Sequence, residues 1–286
     1  MSADILLLVV FSGFLHAGWN FLAKTIPGGT AFVWLIAVVM SIVLLPFSVV
    51  YVVMYGFDCS LVNVSVLLFT ALLHLVYFVL LQKGYEVADL SVVYPLSRGT
   101  GPVFATLGAV LFLQEEVSSL GVLGLSLVVL GVLLIAGLGQ STSDASRRKT
   151  GVYYGLGIGI LIATYTVWDG YAVRDLAIPP LLLEYTAHPF RVLTLTPLVR
   201  KRGPEIRAIW KKHWWKVLLI SLVSPLAFIL VLYAMRQAPV HLVAPAREIS
   251  IVFGVIFGGK LLTEENFWPR LVGALLILGG IVILAV

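Results

Sequence analysis

Six charged side chains lie within long apolar stretches of this chain, and they are the first candidates for chemistry. In chain order they are Arg98, Asp169, Glu184, Arg191, Arg247 and Glu248. A charge at the centre of a membrane helix costs on the order of 2.5 to 3.5 kcal/mol on insertion scales, so such residues usually face a cavity or a partner. Three positive and three negative side chains also permit internal pairing.

Arg98 and Arg247 are the first choice for contact with a bound solute. A guanidinium is a planar fork that can bind a carboxylate or a phosphate through two parallel hydrogen bonds. Tyr94 and Glu248, which lie close to them in the sequence, complete this group of candidate binding residues. The alternative is structural, because Arg98 could instead form a buried ion pair with Glu248 or Glu184.

Two trios of residues repeat the spacing i, i+3 and i+4, which places each trio on one face of a helix. They are His16, Trp19 and Asn20, and then Tyr165, Trp168 and Asp169. An aromatic ring beside a polar group can hold the cationic or apolar part of a solute, so we predict that both trios bind. The alternative is that the two tryptophans anchor helix ends at the membrane interface.

A third polar face consists of Glu184, His188 and Arg191, at i, i+4 and i+7. A buried pair of Glu and His can change its protonation when its surroundings change. We therefore predict that Glu184, His188 and Asp169 couple proton movement to function. His74 is interpreted as a packing histidine.

Prolines and glycines surround both central arginines. Pro95 and Pro245 precede them by two or three residues, and Gly99, Gly101 and Pro102 follow the first. These residue types weaken a helix locally and can free backbone groups to face a polar cavity. The predicted broken helix is therefore the fourth, unless the kink serves packing alone.

The elements that position these residues are membrane helices. Of 286 residues, 60% are apolar and 12% are charged, and the mean hydropathy is +1.05, which is typical of a protein whose solvent is the bilayer. A span needs about 20 mostly apolar residues. Ten segments qualify, at residues 4–23, 31–54, 63–82, 90–113, 120–138, 152–171, 180–199, 217–235, 242–262 and 267–286.

Basic residues predict the orientation in the inner (plasma) membrane. Fourteen Lys and Arg residues lie in the connections after the odd-numbered helices, whereas only Arg174 and Arg236 lie on the opposite side. The excess of Lys and Arg marks the cytoplasmic side, so both termini are predicted outside. The basic stretch from Glu205 to Lys216, with three tryptophans, could form an amphipathic helix at the inner headgroups or an ordinary solvated loop.

The chain repeats itself after a shift of 149 residues. The shift aligns Trp19–Asn20 with Trp168–Asp169, Arg98 with Arg247, Glu115–Glu116 with Glu264–Glu265, Gly124 with Gly273, and Gly131 with Gly280. A shared register of rare residues indicates duplication. The predicted domains are a first five-helix repeat at 1–138, a cytoplasmic linker at 139–150 and a second repeat at 151–286, inverted because five is odd. The Glu pairs are interpreted as solvated helix ends or caps.

The segment from His16 to Asn20, the Pro-Leu-Ser-Arg-Gly-Thr-Gly-Pro run at 95–102, the two Glu pairs and the repeat resemble the EamA type of the drug/metabolite transporter superfamily. The resemblance covers essentially the whole chain. It implies transport of small metabolites such as amino acids, choline or sugar-like solutes, with one half rocking against the other. Many members are drawn with cytoplasmic termini, the reverse of the orientation predicted here.

We therefore predict a secondary-active transporter that exports a small polar metabolite, such as an amino acid or another zwitterion or organic anion, by alternating access. The alternative within transport is a carrier of drugs, lipophilic cations or choline-like amines.

The chain has no nucleotide-binding motif and no catalytic motif, so an enzyme, a cofactor and a metal site are not expected, although His16, His74 and His188 could in principle meet at a metal. A scaffold or lipid scramblase is the third possibility. The expected partners are the solute and lipid, not nucleic acid, with a monomer or homodimer as the assembly.

Overall fold

The computed structural model describes residues 1–88, 90–135, 145–261 and 267–285, and these ranges form helices and connections without strands. The helices are α1 (Ala3–Lys24), α2 (Gly29–Tyr55), α3 (Leu61–Val87), α4 (Leu90–Leu113), α5 (Ser119–Ile135), α6 (Ala145–Arg174), α7 (Pro180–Val199), α8 (Gly203–Gln237), α9 (Val240–Ala246), α10 (Ile249–Leu261) and α11 (Phe267–Ala285). The all-α membrane fold is as predicted.

The outer surface of the bundle is apolar. Val53, Phe112 and Leu193 are each more than 70% exposed, and many other large apolar side chains point outward. Lipid tails cannot satisfy backbone polar groups, so a spanning chain must satisfy them within helices. Six helices, α1 to α4, α6 and α8, each contain a stretch long and apolar enough to cross a membrane by themselves.

The predicted ninth helix is broken in two, between α9 and α10. Around Arg247 and Glu248 the backbone turns tightly: the N–H of Glu248 donates to the carbonyl of Pro245 at 3.0 Å, and that of Ser250 donates to Arg247 at 3.2 Å. Bonds between residues three apart are characteristic of a 3₁₀ turn. One of the two repeat-equivalent arginines therefore lies at a helix break.

The prediction that the fourth helix is the broken one was wrong, because α4 runs without interruption from Leu90 to Leu113. Its glycines serve close packing instead. A Cβ added at Gly99 would lie 3.0 Å from Leu133 of α5, and one added at Gly101 would lie 3.0 Å from Ile162 of α6.

The first helix of each repeat packs against the other repeat. α1 lies against α8 and α10, and the equivalent α6 lies against α3 and α4. Two mixed bundles result, one of α1 with α8, α9 and α10, and the other of α6 with α3 and α4. The contacts of one bundle reproduce those of the other, as expected when a twofold axis relates inverted repeats.

The crossing of α5 and α11 shows this symmetry at the level of single residues. A Cβ added at Gly124 would lie 2.9 Å from the carbonyl oxygen of Gly280, and one added at Gly131 would lie 2.5 Å from that of Gly273. The repeat register exchanges these two contacts. The positions run in opposite directions along the two helices, so the helices are antiparallel.

Gly155 and Gly159 of α6 allow a close approach to α4, because added Cβ atoms would collide with Leu96 and Thr100, whereas a Cβ added at Gly254 would meet nothing within 4 Å. The basic stretch is helical from Gly203, with a kink at His213. Its tryptophans, Trp210, Trp214 and Trp215, are 40%, 52% and 48% exposed.

Candidate functional site

A small cavity lies where the two mixed bundles meet, and we call it the central chamber. Its lining residues come from α1, α4, α8 and the α9–α10 junction: Ser12, Gly13, His16, Arg98, Ala227, Phe228, Val231, Arg247 and Ser250. The chamber measures about 20 Å³, which is room for about one water molecule. In this conformation it is too small for a metabolite.

Arg98 crosses the interface between the bundles. Its Nη2 atom lies 3.0 Å from Oε2 of Glu248 and donates to the hydroxyl of Ser250 at 3.2 Å. The Glu248 side chain is 6% exposed and that of Arg98 is 18% exposed. The ion-pair alternative for Arg98 is thus present in the structure, although Arg98 also lines the chamber.

Arg247, the repeat equivalent of Arg98, follows the last residue of α9. Its guanidinium lies over the ring of Phe228, 5.8 Å from the centroid, and near the hydroxyl of Tyr165. Among the ion pairs of the described residues none involves Arg247. Within the described residues it therefore presents to the chamber a positive charge that no carboxylate approaches at ion-pair distance.

The first trio reaches the chamber through His16 only. The His16 ring packs edge-on against Trp19, with centroids 5.1 Å apart. The Asn20 amide donates to the backbone carbonyl of His16 at 2.8 Å, so that its donor serves the helix rather than the chamber.

The second trio centres on Asp169, which is 1% exposed. Its carboxylate accepts a hydrogen bond from Thr70 at 3.0 Å, and its Oδ2 atom lies 2.8 Å from Nε2 of His74. The interpretation of His74 as a packing histidine was incomplete, because it pairs with a buried acid. The sequence signal is limited to the position of His74, a polar residue in an apolar segment, and it does not identify the partner.

Aromatic rings connect this acid–histidine pair to the chamber. The ring centroids of Tyr165 and Phe228 lie 4.5 Å and 5.3 Å from that of His74. Phe228 lines the chamber beneath Arg247. The ring of Phe228 thus lies between the Asp169–His74 pair and Arg247.

Both tryptophans keep their indole N–H away from the surface. The Nε1 atoms of Trp19 and Trp168 are buried without a hydrogen-bond partner in the described part of the chain, and Trp168 packs edge-on against Phe69 at 4.9 Å. A tryptophan that anchors an interface directs its N–H to water or headgroups. This placement does not favour the anchoring alternative.

The third polar face forms a separate cluster on α7. Glu184 and His188 are buried, with Oε1 and Nε2 3.1 Å apart, and the Arg191 guanidinium lies over Phe78 of α3 at 5.9 Å. None of the three lines the chamber. The backbone of Tyr94 belongs to α4, but its side chain lies outside the described part of the structure, as do Glu264 and Glu265.

Glu116 is exposed, as expected for a solvated helix end, whereas Glu115, which follows α4, is buried and caps a helix, although that helix is α9 and not the next one, α5. The Glu115 carboxylate accepts hydrogen bonds from the backbone N–H groups of Val240 at 2.8 Å and His241 at 2.9 Å. His241 Nδ1 and an Arg174 nitrogen each lie 2.7 Å from it. Burial opposes ionisation, yet the hydrogen bonds from His241, Val240 and Arg174 prevail and lower the pKa of Glu115 to about 2.

Two segments of the chain, residues 4–137 and 149–286, each match the EamA-like transporter family. Together they span nearly the whole sequence and coincide with the two repeats. The chain is a member of the EamA-like transporter family. The resemblance proposed from the motifs is thereby confirmed, and the ten-helix membrane fold is that of the family.

This EamA-like transporter is similar to the pseudopaline exporter CntI of Pseudomonas aeruginosa, in strains UCBPP-PA14 and PAO1. Each is 27% identical over 211 residues, which cover 74% of this chain and 68% of the relative. A solved crystal structure aligns over 99% of this chain and 98% of its own, with a TM-score of 0.74 and 14% identity. That likeness shows a shared fold.

The structure gathers the EamA-like transporter's predicted site residues into three groups. His16, Arg98 and Arg247 line the chamber, with Glu248 paired to Arg98. Tyr165 and Asp169 form a second group with His74, and Glu184 with His188 forms the third. His16, His74 and His188 therefore lie in three different groups, and the described part of the chain contains no cluster of three or more His, Cys, Asp or Glu residues that could hold a metal ion.

Proposed function

We propose that this EamA-like transporter is a secondary-active exporter of a small polar metabolite that carries an anionic group, such as an amino acid, another zwitterion or an organic anion. The observation that carries the proposal is the convergence of the repeat-equivalent Arg98 and Arg247 on one buried chamber. Guanidinium groups in a site shielded from water bind carboxylates and phosphates strongly.

The two arginines contribute differently to this function. Arg247 offers the charge that a solute's anionic group meets first, because Arg98 is occupied by Glu248 at 3.0 Å. A second contact to Arg98 would require the solute to compete with Glu248. The Arg98–Glu248 pair spans the two mixed bundles, so that competition would loosen the contact between them.

The chamber size supports alternating access. Ligand pockets for drug-sized molecules typically measure about 300 to 1,000 Å³, far more than the present chamber of about 20 Å³. A metabolite can therefore enter only if the bundles separate. A ligand shifts such an equilibrium by its differential affinity for the two states, which links solute binding to opening.

Export is the direction supported by the similarity to the pseudopaline exporter CntI. In the orientation proposed from the basic loops, the connections after the odd-numbered predicted helices are cytoplasmic. Export then means movement of the solute from the face of these connections to the opposite face. Without a nucleotide-binding motif in the sequence, the energy is proposed to come from ion or solute gradients.

Proton coupling is proposed for the Asp169–His74 and Glu184–His188 pairs. In each pair an imidazole nitrogen lies within hydrogen-bond distance of a buried carboxylate, so one proton can be held between two acceptors. The first pair is the better placed, because Tyr165 and Phe228 link it to Arg247. A proton gained there changes the charge near the chamber.

The cation-carrier alternative has less support from this geometry. A cationic solute needs an acid that is available, yet Glu248 is paired with Arg98, Asp169 with His74 and Glu184 with His188. Within the described residues the chamber itself offers more positive than negative charge.

A binding screen tests the solute class. Purified protein is heated with amino acids, phosphonates, amines or lipophilic cations, and its melting temperature is measured. Anionic or zwitterionic solutes are expected to raise the melting temperature, and counterflow of the same solutes into proteoliposomes tests transport. Stabilisation by cations alone would refute the proposed class.

Variants of Arg247 then test whether its guanidinium binds the solute. Arg247→Gln should abolish the stabilisation, and Arg247→Lys, which keeps the charge but loses the planar fork, should weaken binding by about tenfold or more. Arg236→Gln, which removes an exposed arginine at the end of α8, is the matched control. Wild-type affinity in both Arg247 variants would contradict the proposal.

A further inference from the structure

Glu115 joins three separate elements through one buried carboxylate. It lies in the connection between α4 and α5, Arg174 is the last residue of α6, and Val240 and His241 are the first two residues of α9. Four contacts of 2.7 to 2.9 Å meet at its two oxygens. We call these four residues the Glu115 latch.

The latch connects the two halves of the duplicated chain. Glu115 belongs to the first half, and its three partners belong to the second. The Glu115 side chain is 4% exposed, and charge-assisted hydrogen bonds in such surroundings are about twice as strong as neutral ones. Any movement that separates the connection between α4 and α5 from α9 must therefore break several strong contacts at once.

All parts of the latch lie on one face of the membrane protein. Lys24, at the end of α1, lies on the face of the basic connections, and each further crossing alternates between the faces. The ends of α4, α6 and α8, and with them the start of α9, therefore lie on the opposite face. The latch lies on that side of the central chamber.

The short helix α9 connects the latch to the chamber. It has seven residues, begins at Val240 and is followed directly by Arg247. At 1.5 Å per residue its length is about 10 Å. The carboxylate that holds the first turn of α9 thus determines where the chamber arginine lies at its other end.

We propose that Glu115 is a positioning residue of the transport cycle: its latch holds α9 against the first half, keeps the chamber closed on the face opposite the basic connections and must release before the chamber opens there. The inference rests on the proposed alternating access. Glu115 itself does not touch the solute.

Side-specific labelling tests the latch without any solute. The native Cys59 is exposed in the connection between α2 and α3, on the same face as the latch, so its labelling in the wild type identifies that face experimentally. Cys59 is then replaced by Ser, and Ala227→Cys places a single thiol in the lining of the chamber. A membrane-impermeant thiosulfonate is applied to each face in right-side-out and inside-out vesicles.

Glu115→Gln should raise the labelling rate at position 227 from the latch face by about tenfold or more, since it weakens contacts to two charged or titratable partners, and should lower the rate from the basic face. The matched control is Glu116→Gln, because Glu116 is the exposed neighbour and its replacement should change neither rate. A general loss of structure would raise both rates together.

An unchanged rate from the latch face, or an equal rise from both faces, would overturn the inference. If Glu115→Gln does not give a monodisperse protein, Arg174→Gln removes only one of the four contacts and should shift the rates in the same direction by a smaller factor. Failure of the solute screen would leave these labelling rates unaffected, so the two proposals can fail separately.

Discussion

Arg98 and Arg247 occupy equivalent positions in the repeat but have different partners. Arg98 is paired with Glu248, whereas Arg247 lies against the rings of Phe228 and Tyr165. Breaking a buried ion pair is costly because one charge is left without a partner. The difference supports the proposal that the first arginine contributes to stability and that the second is available for a solute.

Glu248→Gln should lower the free energy of unfolding by about 3 to 5 kcal/mol, because it leaves the Arg98 charge uncompensated in the membrane. The double variant Arg98→Gln with Glu248→Gln should recover much of that loss. Thermal or denaturant unfolding of the wild type, both single variants and the double variant in the same detergent measures the four free energies of unfolding. Additive effects of the two replacements would show that the pair does not interact.

The Asp169–His74 pair makes a prediction about energy coupling. His74→Gln retains a group that can donate to Asp169 but cannot carry an added proton, so solute counterflow without a gradient should persist while transport driven by a pH gradient should be lost. His213→Gln, at the kink of α8 outside the apolar span, serves as the control. Gradient-driven transport at the wild-type rate in the His74 variant would exclude this pair as the coupling site.

At the scale of elements, the two equivalent helices differ in continuity. α4 is unbroken, and side chains of α5 and α6 fill the space beside its glycines Gly99 and Gly101. The equivalent segment is divided into α9 and α10 at Arg247–Glu248. The segment with more prolines and glycines around its arginine, α4, is thus the continuous one, so these residue types alone do not determine where a break forms.

The α5–α11 crossing yields a prediction with an internal control. Gly131→Ala should destabilise the protein by about 1 to 3 kcal/mol, because the new Cβ would meet backbone atoms that cannot move aside. Gly279→Ala, in the same helix pair but with nothing within 4 Å, should be neutral or slightly stabilising because Ala favours helix. Unfolding midpoints measure both, and equal effects would argue against the close crossing.

At the scale of the whole molecule, the bodies that pack together are not the two halves of the sequence. Because α1 packs with α8 and α10, and α6 with α3 and α4, each bundle contains a helix from the other repeat. The expected rocking of one half against the other is therefore better described as movement between mixed bundles, with the chamber, the Arg98–Glu248 pair and the Glu115 latch at their boundary.

Orientation is the prediction that belongs to this scale. If the basic connections are cytoplasmic, as the distribution of Lys and Arg predicts, Cys59 faces the outside. A membrane-impermeant maleimide should then label it in intact cells, and Cys59→Ser should abolish the signal. Labelling that requires permeabilised cells would reverse the orientation and place the Glu115 latch on the cytoplasmic face.

The sequence alone determined the features that depend on neighbours along the chain. Hydropathy predicted the bounds of α4 and α7 to the residue, the shift of 149 residues predicted the duplication, and the cost of burying charge identified Arg98, Arg247 and Asp169 as candidates. The family resemblance rested on the same local motifs.

Only the tertiary structure decided which partner each candidate has. A charge in an apolar segment must be compensated, but its sequence does not specify whether the compensating group lies 4 or 150 residues away. Asp169 therefore could not be assigned to His74, nor Glu115 to α9, before the helices were packed. The broken helix was missed for the same reason, since a proline or glycine permits a break but the contacts around it determine whether one forms.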